Sequence, residues 1–394
     1  MNGIEELILL SNSLKERVKK LKERTFVKEL RERIGKAPNI VFLKGLRGVG
    51  KTTGMLQVHA KLESSIYLSA DWPQVIDYGL YEVASGLIKL GRKHLFIDEI
   101  HTVPGWFRIV KALSDQFPDT TIVATGSAAA AFSPERRVKL MDVEPMSMKE
   151  FALLKYHEEV EVSPRIWKDY DKTLTELGKF FPRIEGWYRE YLKVGGFPIS
   201  LTMSEEDALE GIYAAIEKSI KEDALSILKM DYEKRFAMEK LLFMLATSPP
   251  GEMSISSLSK TLEISKTTVY EILNALENMK IIRIIRPQAR GSGLIRGEPK
   301  MLFRHPNLRV AICHKLRKEV PVGAIREEAV LFALERMGIP FGTVRGRKKS
   351  PDYMLEDGTI IEIGGPSKKS GQIKYFEKGI VVRDYQIMAM LLSF

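Results

Sequence analysis

The eight residues GLRGVGKT, Gly45 to Thr52, restrict the fold of this chain more than any other stretch. They follow the apolar run NIVFL and precede a helix-length segment, and Gly45, Gly50, Lys51 and Thr52 fall in the G-x-x-x-x-G-K-[ST] spacing of a phosphate-binding loop. Such a loop works only between a strand and a helix. Its glycines let successive N–H groups turn toward phosphate oxygens, and the helix adds its positive N-terminal end. The spacing therefore predicts a parallel α/β sheet of the P-loop NTPase class. The runs SIYLSA, KHLFIDE and TTIVATGS, separated by helix-length stretches, supply the remaining strands. Gly45, Leu46, Arg47, Gly48, Val49, Gly50, Lys51, Thr52 and Thr53 form the expected cradle for ATP or ADP, with Lys51 at the β and γ phosphates and Thr52 on Mg2+.

A cradle alone only binds. LFIDEIH adds what hydrolysis needs, because a buried strand ending in Asp98 places one carboxylate at the metal and Glu99 beside it can polarise the attacking water. His94 and His101 flank this strand and are assigned no role.

The remaining composition bounds the setting. A chain of 394 residues is long enough for two to four domains, and 44% hydrophobic with 28% charged residues is the balance of a folded globular protein. No apolar run approaches the ~18 residues of a membrane span, and MNGIEELILL places acids where a signal peptide places Lys or Arg. The expectation is a cytoplasmic protein with no membrane partner. Cys313 is the one cysteine, which excludes an internal disulfide. Between Arg283 and Lys318 ten Lys or Arg residues stand against one acid, Glu298, so this stretch carries +9 of the net +10. Phosphate backbones are the main partner such a patch implies.

Residues 1–36 interleave Lys, Arg and Glu with Leu and Val at helical spacing and read as exposed amphipathic helices. After PMSMKEFALLKY the strands stop and helices follow. From Ser254, Leu258 and Leu262 form one short helix face, EIS a turn, and Val269, Ile272, Leu273 and Leu276 the stripe of a second helix. Two strands, KIIRIIR and KMLFRH, come next, so the unit resembles a winged helix. Lys266, Thr267 and Thr268 open the second helix, and Arg283, Arg286, Arg290, Arg296 and Lys300 lie on the wing. These eight residues are the candidate nucleic-acid contacts, with DNA the expected partner.

GLRGVGKTT, LFIDEIH, ATGSAAA, VEPMSMKEFA and YLKVGGFP occur in an order that resembles the archaeal-type AAA+ ATPase family. After the amphipathic helices at 1–36, the resemblance implies an ATPase core at 37–150, a helical lid at 151–232, a winged helix at 233–319 and a restriction-endonuclease-like domain at 320–394. It implies that Ser127, or alternatively Thr125, bonds the γ-phosphate or the attacking water. It gives Arg137 either a γ-phosphate-sensing role or a role in trans on a neighbour's nucleotide, the latter requiring a homo-oligomer. In the last segment it assigns Glu327, Asp352 and Glu362 to a second metal site, but Gly364 stands where active members carry Lys. The resemblance then implies a fold retained for binding, unless Lys368, Lys369 or Lys374 reaches back. The expected function is nucleotide-controlled action of DNA-contacting domains, with an ATP-dependent nuclease or a protein-binding signalling ATPase as alternatives.

Overall fold

The computed structural model describes the chain except residues 1, 127–136, 225–230, 252–253, 286–298, 344–350, 366–367, 369–370, 372 and 374–375. It divides into two compact units, Met1–Glu144 and Pro145–Phe394.

In the first unit, α1 (Asn2–Val18) and α2 (Thr25–Arg33) precede β1 (Ile40–Lys44), α3 (Lys51–Ala60), β2 (Ser65–Ser69), α4 (Pro73–Tyr78), α5 (Leu80–Lys89), β3 (His94–Asp98), α6 (Trp106–Gln116), β4 (Thr121–Thr125) and β5 (Val138–Asp142). The sheet order is β2-β3-β4-β1-β5, and every pairing is parallel. β2 and β4 are buried throughout, and β1 and β3 at all but one terminal residue, which is why their sequences are near-continuous apolar runs and do not alternate. The expected N-terminal segment 1–36 is part of this unit. Leu7 of α1 lies in the same core as Ile40, Leu68 and Ile97. α2 lies close to α3 at Gly54, where a Cβ would sit 2.3 Å from the Phe26 ring.

The second unit runs α7 (Met148–Phe151), α8 (Tyr170–Leu177), α9 (Arg183–Glu190), α10 (Glu205–Lys218), α11 (Tyr232–Thr247), α12 (Ile255–Leu262), α13 (Lys266–Asn278), β6 (Ile282–Ile285), β7 (Lys300–Phe303), α14 (Pro306–Lys315), α15 (Val322–Arg336), β8 (Phe341–Gly342), β9 (Tyr353–Leu355), β10 (Ile360–Ile363), β11 (Gly379–Val382) and α16 (Asp384–Leu392). Helix α12, a left-handed turn at Glu263, α13 and the antiparallel β6–β7 pair follow the expected order. Ser265 caps α13 by accepting from the Thr268 N–H. The last sheet has the order β11-β10-β9-β8, with β10 and β11 parallel and the other pairs antiparallel.

The boundaries expected at 232 and 319 are not core boundaries. Trp167, Trp187 and Tyr191 share one apolar cluster with Leu302, Phe332, Tyr353 and Leu391. α15 and α16 are buried almost all round, so a 320–394 segment by itself would leave much of their apolar surface in water. Within this core Arg309 and Glu328 are both fully buried and paired at 2.7 Å, and Arg309 also donates to the Leu245, Ala246 and Ser248 carbonyls at the end of α11. Among the described residues no helix is long and apolar enough to cross a membrane.

Candidate functional site

The phosphate loop leaves β1 at Gly45, passes Gly48 and Gly50 at φ 81° and 90°, and enters α3 at Lys51. These φ values lie where glycine alone is unstrained. Gly45 has a separate reason, since a Cβ there would lie 2.2 Å from the Val143 carbonyl oxygen. Lys51 Nζ donates to the Gly45 and Leu46 carbonyls at 2.8 and 2.9 Å, folded back over its own loop, and Thr52 is exposed at the helix start. The loop is braced from below by Arg24, which the sequence reading missed. Its guanidinium is buried and donates to the Val49 carbonyl at 2.5 Å and to the Glu144 carbonyl at 3.0 Å.

Because β4 lies between β1 and β3, the loop, the end of β4 and the end of β3 come together on one edge of the sheet. Asp98 is buried there. One carboxylate oxygen accepts from the Tyr67 hydroxyl at 2.8 Å; the other accepts from the Thr125 hydroxyl and from the Glu99 N–H at 3.1 Å. Burial and the Asp98 charge push the Tyr67 phenol far up, so it stays a neutral donor. Glu99 occupies the left-handed region at φ 48°, uncommon for a residue with a side chain. Its oxygens lie 3.4 Å from Arg47 of the loop and 3.3 Å from His101 Nδ1. Thr125, the alternative to Ser127, thus touches the Asp98 carboxylate, while Ser127 lies outside the described residues. His101, given no role, contacts Glu99. Tyr67 was not singled out, and only its place on the strand beside Asp98 in the folded sheet reveals it.

These groups fit a magnesium nucleotide: a strand–loop–helix with inward-turned backbone, a lysine above it, a hydroxyl at the first helical turn and a buried carboxylate across from it. Among the described residues no three His, Cys, Asp or Glu side chains are grouped as a metal cage.

Arg137 departs from expectation. It precedes β5, whose Val138 stands opposite Ile40, the first residue of β1. It is therefore at the opposite end of the strands from the loop, about 20 Å away at ~3.3 Å per strand residue, and is paired with Asp115. The γ-phosphate of its own chain is out of reach.

The basic stretch is also different from its sequence reading. Arg283 is buried and held by Glu335 at 2.7 Å; Lys300 is buried on Glu327 at 2.5 Å and over the Tyr353 ring. Arg304 and Arg309 likewise pair with Glu335 and Glu328. All three acids lie on α15, outside the counted stretch. Arg283 and Lys300 are internal counter-ions rather than an open surface. Arg286, Arg290 and Arg296 lie outside the described residues. Lys266 and Thr267 are exposed and Thr268 is half-buried on the first turn of α13.

In the C-terminal sheet, Asp352 precedes β9 and accepts from the Ile363 N–H at 2.7 Å. Glu362 is buried on β10 and pairs with Lys368 at 2.6 Å. A Cβ on Gly364 would lie 2.5 to 2.8 Å from Lys368 Cγ, Cβ and Cδ, so the lysine stem fills the space a side chain at 364 would need. Lys369 and Lys374 lie outside the described residues. Burial raises the Glu362 carboxyl against the opposing bond from Lys368, and the Asp352 charge adds to the rise. Burial also raises Glu327, which Lys300 opposes and Asp352 reinforces. Lys368 loses by burial but is raised overall by Glu362, Asp352 and Glu327. Glu327 is bonded to Lys300 and the Tyr353 hydroxyl, so the three acids do not form a ready metal cage.

Residues 37–152 match the AAA domain family model, and residues 185–318 match a domain of unknown function (DUF8612). The first segment is thus similar to AAA domains, and its parallel α/β sheet with the loop between β1 and α3 is of the P-loop kind. The chain is 28% identical to the uncharacterized protein MJ1637 of Methanocaldococcus jannaschii, over 88% of this chain and 80% of that one. It is also 28% identical to an uncharacterized protein of Haemophilus influenzae, over 68% of this chain and 64% of that one. Among solved structures it is similar to a signal transduction ATPase with a tetratricopeptide repeat sensor from Pyrococcus horikoshii (TM-score 0.31, 13% identity, 78% of this chain and 45% of that one). It is similar also to AMPPCP-bound DnaA from Aquifex aeolicus (TM-score 0.26, 16% identity, 65% and 86%).

Proposed function

We propose that the first unit binds and hydrolyses ATP with Mg2+, and that its nucleotide state controls the helix-turn-helix and C-terminal parts of the chain. The observation that carries the reading is the meeting of Lys51, Thr52, Asp98, Thr125 and Glu99 on one sheet edge. Lys51 leaves its two carbonyls for the β and γ phosphates. Mg2+, held by Thr52 and Asp98, neutralises phosphate charge when bound. Asp98 is kept in place by Tyr67 and Thr125, and Glu99 orients the attacking water once it leaves Arg47 and His101. Lys51→Ala is expected to abolish ATP binding, whereas Glu99→Gln binds ATP and turns it over slowly; full turnover by Glu99→Gln refutes the role. Arg137 is kept for action in trans, within a homo-oligomer. The α12–α13 unit is read as a winged helix whose DNA-facing residues are Lys266, Thr267 and Thr268, joined by Arg286, Arg290 and Arg296.

A second reading, an ATP-dependent nuclease acting on DNA or RNA, is favoured by one observation: Lys368 stands on Glu362, through the space left open by Gly364. Asp352 and Glu362 would hold a divalent cation, and Lys368 would stabilise charge on a phosphodiester. Incubation of wild type with Mg2+ or Mn2+ and mixed nucleic acids tests it; cleavage lost in Asp352→Ala and Glu362→Gln supports it, and no cleavage by wild type removes it.

A further inference from the structure

The second unit contains a cavity of about 360 Å3 walled by α8, α9, α15 and α16, a size typical of small-ligand sites. Half of its twelve lining residues are tyrosines or arginines, and the rest are the aliphatic Leu192, Val322, Ile325 and Met388 with two acids. Tyr170, Tyr188 and Tyr385 contribute rings, and Arg189, Arg326 and Arg383 contribute guanidinium groups. The two carboxylates present are engaged: Glu185 accepts from the Tyr385 hydroxyl at 3.0 Å, and Asp384 is held by Arg326 through Nε and Nη2 at 2.8 and 2.9 Å. Arg326 keeps Nη1 outside that fork. Arg383 lies over the Tyr170 ring at 5.2 Å without an ion pair among the described residues, and exposed Arg189 also has none there.

The cavity is tied to the Lys368 cluster. Arg383 Nη2 donates to the Lys368 carbonyl at 3.3 Å, and Arg326 Nη1 lies 3.2 Å from where a Gly365 Cβ would be. Lys368, which sits on Glu362, is therefore also bonded through its carbonyl to the Arg383 of the cavity wall. A flat π surface joined to an anion is the ligand that aromatic rings and arginines hold together, and in a polymer this is one nucleotide.

We propose that this cavity receives one unpaired nucleotide of a single strand, its base against the tyrosines and its phosphate on Arg189 and Arg326, with the next phosphodiester directed to Lys368. The inference rests on the nuclease reading for what happens at that phosphodiester. A base seated here cannot be paired, so the substrate class is a single strand or a frayed end rather than an intact duplex.

The test uses the full chain with an octamer single strand carrying 4-thiothymidine, in EDTA. Photo-crosslinks are expected on peptides bearing Tyr170, Tyr188 or Tyr385. Tyr170→Ala and Arg189→Ala are expected to weaken octamer binding about tenfold, as loss of one stacked base does, while Tyr170→Phe restores it. Arg189 is exposed, so its variant guards against a folding defect. Unchanged binding in both variants, or crosslinks confined to other peptides, overturns the inference. An RNA octamer with 4-thiouridine distinguishes the two strand types. Binding at the cavity without cleavage in Mg2+ or Mn2+ keeps this inference and removes the nuclease reading. Cleavage of the octamer that is identical in wild type, Tyr170→Ala and Arg189→Ala keeps the nuclease and removes the cavity.

Discussion

The crossing of Lys368 over Gly364 predicts a strong coupling between these two positions. Gly364 is not at positive φ, so Ala is acceptable to the backbone, and the cost of Gly364→Ala is contact with Lys368. The near atoms include Lys368 Cβ, which cannot swing away as a chain end can. Overpacking of this kind costs about 1–3 kcal/mol. The displaced ammonium also leaves Glu362, whose side chain is 2% exposed while that of Lys368 is 37% exposed. A pair between the fully buried and surface limits is worth about 2 kcal/mol. Lys368→Gly loses that pair and adds about 1 kcal/mol of chain entropy. It also removes the atoms that a methyl group on residue 364 would strike. Gly364→Ala should therefore cost about 3 kcal/mol in wild type and nearly nothing beside Lys368→Gly, a coupling of about 2 kcal/mol or more. Urea unfolding of the four proteins, followed by tryptophan emission, measures the cycle. Additivity within about 0.5 kcal/mol would show that the stem does not cross residue 364, and would remove the support for the nuclease reading.

Three further outcomes follow from buried polar groups. His59 on α3 is fully buried between Ser11 and Ser65 hydroxyls, and burial lowers it from 6.5 to about 4. The unfolded chain then binds the extra proton between these values. Stability is complete above pH 6.5 and falls by about 3 kcal/mol as pH drops to 4, a slope that His59→Gln should flatten in denaturation curves taken across pH. Tyr67→Phe removes one donor from Asp98 and should cost about 1–2 kcal/mol of stability. It should also raise the Mg2+ concentration needed for half-maximal ATP turnover, whereas an unchanged Mg2+ dependence would confine Tyr67 to packing. Arg309→Met leaves buried Glu328 without its cation and should lower unfolding stability by about 3–5 kcal/mol. Joint replacement of both by apolar residues should recover much of that in the same measurement.

The sheet was legible because burial on both faces forces apolar runs, and the loop because its glycines answer local backbone demands. Asp98 and Glu99 followed from position at a strand end. Tyr67 and Arg24 were not legible: one is a tyrosine in an ordinary strand, the other a basic residue in a charged helical stretch. Each acquires its role only when the sheet order sets it beside Asp98 or beneath Val49. Arg137 shows the converse. Its place before a strand was read correctly from the chain, but parallel pairing with β1 decides which end of the strands that is.

The same distinction governs the basic stretch. A charge count along the chain assumes that counter-ions are local in sequence. Here α15 brings Glu327, Glu328 and Glu335 across to Lys300, Arg309, Arg283 and Arg304, so four of the ten cations neutralise carboxylates from a later helix. Lys315, Arg317 and Lys318 remain exposed at the end of α14, and Lys266 stays on α13. A phosphate backbone would meet fewer charges than +9 implies, and since each phosphate contact contributes to the salt slope, DNA binding should weaken less steeply with salt than about ten contacts would require. A log–log slope near about −9 would mean that the buried pairs open on binding. A slope of about −4 to −6 is what the folded arrangement permits.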